Sequence, residues 1–243
     1  MYLSEASWSE AEAVETDLAV LPIGSIEQHG PHAPLATDTI AAAAVAEAGA
    51  DAFDGDVVVA PPIQVGVSEE HRAFSGSLWV SEETFRSYVR ETVSSLAHHG
   101  WDRVVIVNGH GGNAPALREV CARISRHDEA YAVPFTWFDA IDQTAVEMGH
   151  AGPLETALLA HVAPELIEES QLAPASEQAA DRWGVWQSGV NLAYDTDEFS
   201  DNGVVGDPTE GDAELGEEIL EEASAQLVSL LERVVERERP DRD

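Results

Sequence analysis

Residues 21 to 38, LPIGSIEQHGPHAPLATD, place Glu27, His29, His32 and Asp38 within twelve residues, hemmed by Gly24, Gly30, Pro31 and Pro34. Carboxylate oxygens and imidazole nitrogens in one short loop suit zinc, manganese or iron(II). Calcium prefers all-oxygen cages, and structural zinc usually recruits cysteines. In an extended chain residues i and i+2 point to the same side. Glu27 and His29 therefore converge on one centre if the strand begun at Leu18 continues loosely into the loop. The plainer alternative is a polar loop whose histidines cap nearby carbonyls, and the density of ligands speaks against it.

A second stretch, RVVIVNGHGGN, runs a β-branched segment into a glycine-rich turn that carries His110. In open α/β sheets ligands gather outside the carboxyl ends of the strands. Both EQHG and NGHGGN fall there, so His110 is expected to join Glu27, His29 and Asp38. A phosphate cradle is the competing reading of the turn, but neither GK[ST] nor GxGxxG spacing is present. Four to five ligands, one of them a carboxylate able to bridge, point to two divalent ions (Zn, Mn or Fe). Such a pair can share a hydroxide, keep it ionised near neutral pH and polarise a carbonyl oxygen. That chemistry is hydrolysis of an amide-like bond. His150, in MGHAGPLET, is either the proton shuttle to the leaving nitrogen or a structural histidine at a helix start. Glu155 lies in the first turn of the helix that Pro153 opens. It is a further metal ligand, an orienter of His150 or a solvated first-turn carboxylate.

The elements needed to position these residues are legible in outline. A short acidic helix is expected over residues 7 to 16, then a buried strand over 18 to 23 and an alanine-rich helix over 39 to 53 with Thr37 or Asp38 as N-cap. VVVAPPI reads as a second strand. It opens into a long loop with Glu69, Glu70, His71, Phe74 and Gly76, and loops of that length are often functional. Ser81 caps the next helix, which Gly100 ends. Residues 103 to 107 form a third strand, NAPALREVCARISRH a helix and AYAVPFTWF a fourth strand. Residues 171 to 210, with Trp183 and Trp186, are irregular and have room for a strand or two. The C-terminal segment is an amphipathic helix with Leu215, Ile219, Leu227, Leu230, Leu231 and Val234 on or near its apolar face. Strands with continuous apolar runs, alternating with helices, indicate a parallel sheet covered on both faces. No repeat or linker divides the 243 residues, so one domain over 1–243 is expected.

Acidic residues outnumber basic ones by 46 to 12, a formal charge of -34, and every basic residue is arginine. Such a surface repels nucleic acid and anionic membranes, so neither is an expected partner. Because the charge is spread along the chain, it reads as adaptation to a high-salt cytoplasm, where screening acts within a few ångströms. The lone Cys121 occupies an apolar position as a small core residue. No signal peptide and no membrane span are apparent, and a cytoplasmic location is the expectation.

Taken together, GSIEQHGPHAPLATD, the EH and FSGSL of residues 70 to 78, NGHGGN and HAGPLET resemble the creatininase (creatinine amidohydrolase) family. The resemblance implies a three-layer α/β/α domain with a mostly parallel central sheet, two divalent metals, hydrolysis of a C–N bond in a small amide and a homohexamer. It implies Glu27, His29, Asp38 and His110 as metal ligands with Asp38 bridging, His150 as the catalytic histidine and Glu155 as the glutamate that follows it. Two departures bear on substrate. Creatinine hydrolases of the family carry a metal-binding Glu where Gly112 stands, and a tryptophan where Val146 aligns. Other branches with NGHGGN act on a formylaminopyrimidine nucleotide or trim a redox-cofactor precursor peptide, so cyclic amide, formamide and short peptide are all open. Readings of another class are a non-catalytic domain that holds a phosphate ligand at the glycine turn, and a structural oligomer component.

Overall fold

The computed structural model describes residues 1–141 and 148–238; Val146 lies outside them. Four parallel strands form the central sheet in the order β2-β1-β3-β4: β1 (Leu18–Ile23), β2 (Val58–Val59), β3 (Arg103–Asn108) and β4 (Tyr131–Thr136). Registers run Ala19↔Val58, Leu18↔Arg103 and Arg103↔Tyr131, so β1, β3 and β4 end together at one edge. Every residue of β1 is buried, as expected for a strand covered on both faces.

On one face Leu18, Val20, Val105 and Val107 pack against α2 (Thr37–Ala52), α5 (Pro153–Val162) and α7 (Ala213–Glu236). On the other, Ala19, Leu21, Ile23, Val104 and Ile106 pack against α3 (Glu82–His98) and α4 (Ala114–His127). The result is the expected three-layer α/β/α arrangement. Each fully buried Val, Leu or Ile contributes roughly 1.5–3 kcal/mol, and this double-sided core holds the strand ends rigid beneath irregular loops. Gly49 brings α7 close to α2, because a Cβ there would lie 2.5 Å from Leu227 Cδ2.

Several elements differ from the sequence reading. The first helix, α1 (Trp8–Glu12), stops before residue 16. Helix α2 begins at Thr37 with Ala36 as N-cap and no side-chain cap, so neither Thr37 nor Asp38 caps it. Thr37 instead turns its hydroxyl to the Pro34 carbonyl at 2.7 Å, and Asp38 faces the loops. Strand β1 ends at Ile23, and beyond it only isolated bridges form, Ile26↔Leu78 and His29↔Ala33. Strand β2 is two residues long because Pro61 and Pro62 lack the N–H groups a longer ladder needs. Residues 171–210 contain α6 (Leu172–Glu177) and a small hairpin of β5 (Trp186–Gln187) and β6 (Val190–Asn191). Ser81 caps α3 through the Thr84 N–H, and Pro153 occupies the first turn of α5, as the sequence indicates.

Candidate metal centre

The loops after β1, β2 and β3 meet at the carboxyl edge of the sheet, joined by the segment that leads into α5. His110 Nδ1 lies 3.1 Å from Glu27 Oε2 and 3.2 Å from Asp38 Oδ2. His29 Nε2 lies 3.0 Å from Asp38 Oδ1 and 3.7 Å from Glu155 Oε1. The two oxygens of Asp38 therefore face two different groups of ligand atoms. His150 Nδ1 stands 3.9 Å from Glu27 Oε1, and its ring is 4.5 Å from that of His29. Glu27, His29, Asp38, His110, His150 and Glu155 are all buried.

The far side of each imidazole sets its tautomer. His110 Nε2 is 2.7 Å from the Val67 carbonyl, His29 Nδ1 3.2 Å from the Glu27 carbonyl and His150 Nε2 2.8 Å from the Gln28 carbonyl. A carbonyl only accepts, so these nitrogens carry the hydrogens and the opposite nitrogens turn lone pairs inward. For His29 and His110 those lone pairs meet carboxylate oxygens, an arrangement that a cation completes. Glu27 Oε1, Glu27 Oε2 and Asp38 Oδ2 are buried without a hydrogen bond, and buried unpaired carboxylates are costly. The donor set and its orphaned oxygens fit divalent metal.

The pKa directions register the concentration of negative charge that would draw a cation to the same place. Burial opposes charge on His29, but Asp38 and Glu155 pull its pKa well above the ordinary imidazole value. Burial likewise opposes charge on His110, and Glu27 and Asp38 raise it well above that value. Burial works against the Asp38 anion, yet His29 and His110 hold its pKa below the usual carboxylate range. Burial pushes Glu27 up to about 7. His150 falls to about 4, through burial first and then the charge of His29, so it is neutral at neutral pH.

Local sequence explains how the loops come so close. A Cβ on Gly109 would collide with the Asp38 carbonyl, so only glycine lets the β3 turn lie on the start of α2. The Asn108 side chain receives the His110 N–H at 3.2 Å and donates to the His110 carbonyl at 2.8 Å. Asn113 receives the Val67 N–H at 2.9 Å and donates to Gly24 O at 3.0 Å, tying three loops together. A Cβ on Gly112 would strike His110 Nε2 and the Val67 carbonyl, so no side chain fits there. The carboxylate opposite His29 comes from Glu155. Its Oε2 accepts the Ala151 N–H at 2.6 Å, from a residue held at φ 51.

His32, in the first loop, is not brought to the centre. Its Nε2 is 3.1 Å from Thr156 Oγ1, and burial, then the charge of His29, lowers its pKa to about 4. His71, named in the sequence as part of a long loop and of EH but not expected at the centre, reaches it: its Nε2 is 3.3 Å from Glu27 Oε1. Among the described residues, Glu27, His71 and His150 form one of three sets whose ligand atoms lie within 4.8 Å of one another, besides Glu27, Asp38, His110 and His29, His150, Glu155. EH in the loop after β2 marks His71, but nothing in its spacing predicts the approach to Glu27. A cavity of about 340 Å³ opens onto the centre, lined among others by Glu70, Phe138, Met148 and Trp183. The Trp183 ring lies 5.7 Å from His71 and 5.6 Å from His150.

The model of the creatininase family, creatinine amidohydrolase, matches residues 4–231. A mycofactocin precursor peptide peptidase of Mycolicibacterium smegmatis is 35% identical over 234 residues, covering 93% of this chain and 87% of that protein. The creatinine amidohydrolase of Pseudomonas putida is 26% identical over 196 residues, covering 69% of this chain and 74% of that one. Among solved structures, a creatininase in its Mn form has a TM-score of 0.80 at 22% identity, covering 97% and 99% of the two chains. Fold and site thus define a metal-dependent hydrolase of C–N bonds. The chain belongs to the creatininase family. Among the described residues no helix is long and apolar enough to cross a membrane.

Proposed function

We propose that the chain is a binuclear amidohydrolase that cleaves a peptide-type C–N bond in a short peptide, and that Asp38 would supply one carboxylate oxygen to each of two ions. The observation that carries the two-ion reading is the split of Asp38: Oδ2 faces His110 and Glu27, while Oδ1 faces His29, with Glu155 beyond. Glu27, Asp38 and His110 would hold one ion; His29, Asp38 and Glu155 the other. Divalent ions held there would ionise a water near neutral pH and polarise the scissile carbonyl.

The chain's own residues supply the rest. Neutral His150, fixed by Nε2–H to the Gln28 carbonyl, offers Nδ1 to take a proton from the attacking water and return it to the leaving nitrogen. Buried Glu27, Asp38 and Glu155 would repel a phosphate, which counts against a phosphate-binding domain.

Two features favour a peptide over creatinine. The more identical relative is a peptidase, and the segment that brings Trp183 to the cavity goes on to expose Trp186 (45%), Val190 (59%) and Leu192 (55%), apolar side chains free to meet a peptide that extends past Trp183. The test is a panel of short peptides, formamides and creatinine before and after chelation. Peptide cleavage lost on chelation and restored by manganese or zinc is expected. Cleavage of creatinine alone would overturn the substrate, and full activity after chelation would overturn the mechanism.

A further inference from the structure

We propose that His71 is a positioning residue that keeps its hydrogen on Nε2 and directs that N–H at Glu27, and that the set Glu27, His71 and His150 holds no ion of its own. The centre then takes two ions, not three. This rests on the metal-centre reading above.

The orientation of one buried amide carries the argument. Gln28 is 4% exposed. Its Oε1 accepts the Gly30 N–H at 2.9 Å, and its Nε2 donates to the Gly203 carbonyl at 3.0 Å. Turning the amide over would set oxygen against the Gly203 carbonyl and NH2 against the Gly30 N–H, so both neighbours fix it the same way. The atom 2.9 Å from His71 Nδ1 is therefore the amide nitrogen, a donor, and Nδ1 must accept. Thr196 Oγ1, 3.2 Å from the same nitrogen, can rotate its hydroxyl to suit.

A neutral imidazole with a bare Nδ1 carries its hydrogen on Nε2, and that nitrogen faces Glu27 Oε1 at 3.3 Å. A nitrogen bearing hydrogen cannot ligate a cation. The contact is long for a hydrogen bond, but Glu27 Oε1 is buried and makes none of full geometry, so the His71 N–H is the donor in reach. His29, His110 and His150 do the reverse, with hydrogen turned outward to a carbonyl and lone pair inward. Glu27 thus divides its oxygens, Oε2 toward the ion shared with His110 and Oε1 toward His71. Through Gln28 and Thr196, His71 also ties the segment containing Thr196 and Gly203 to the centre.

The test is a two-bond proton–nitrogen NMR correlation on the zinc-loaded protein with 15N-labelled histidine, together with an ion count and chelator competition. We expect His71 protonated at Nε2 and bare at Nδ1, with two zinc ions per chain. His71→Gln, whose amide N–H reaches about where Nε2 lies, should keep both ions. His71→Leu should weaken the ion held by Glu27 about 10–100-fold, the usual effect of losing a group that orients a ligand. A third ion, an unprotonated His71 Nε2, or unchanged affinity in His71→Leu would overturn the proposal. Should the leucine variant not fold, the wild-type spectrum and His71→Gln decide. A wild-type chain that binds no ion would instead sink the metal-centre reading itself.

Discussion

In the proposed reaction Asp38 and His150 divide the chemistry between holding charge and moving protons. Replacing His150 with alanine removes the inward Nδ1 but none of the oxygens around Asp38. Its kcat should fall about 10²–10⁴-fold with the ions retained; loss of the ions would show His150 to be a ligand instead. Cys121 tests a different property, since burial alone pushes its thiol from 9.0 up to about 12. With its folded pKa raised, the thiol keeps its proton while the unfolded chain begins to ionise near 9, so this group's contribution to stability is lost as pH climbs toward 12. Iodoacetamide at pH 8.5 should leave the native protein unlabelled and label it on unfolding; rapid native labelling would contradict the burial. That Glu27, His29, Asp38 and His110 meet was legible in the sequence, because the first three share one short loop and both turns follow strands. His71 was not, because its partners Gln28, Thr196 and Gly203 meet only in the folded chain, and His32 misled because it shares the first loop yet turns to Thr156.

Continuous apolar runs made β1 and β3 readable almost to the residue, because a strand buried on both faces leaves no polar alternation. Boundaries set by local competition were less so. Thr37 bonds to the Pro34 carbonyl instead of capping α2, and the prolines after Val59 cut β2 short. Residues 171–210 were opaque since their structure depends on contacts such as Ala180 with Val205 and His150 with Val205. Helix α7 is the element whose packing carries the clearest number. Leu227 is fully buried over Gly49, so Leu227→Ala should destabilise the fold by about 2–5 kcal/mol in urea unfolding while leaving ion binding intact. A change below 0.5 kcal/mol would mean that α7 does not seal this face, a threshold typical of surface substitutions.

The net charge of -34 acts on the molecule as a whole. Exposed pairs such as Arg86 with Glu82 and Arg90 with Asp128 use the few cations available, and each is worth about 0–1 kcal/mol. Salt must screen the remaining repulsion, over about 3 Å at 1 M against about 30 Å at 0.01 M. The melting temperature should therefore rise from dilute buffer to molar KCl, and a flat response would remove the high-salt explanation. The proposed two-ion chemistry turns on the two oxygens of Asp38. Counting zinc per chain in the wild type and in Asp38→Ala by plasma mass spectrometry, after removal of free metal, tests it most directly. Two ions in the wild type and loss of both in the variant are predicted; a single ion in the wild type, or two retained without Asp38, would contradict it.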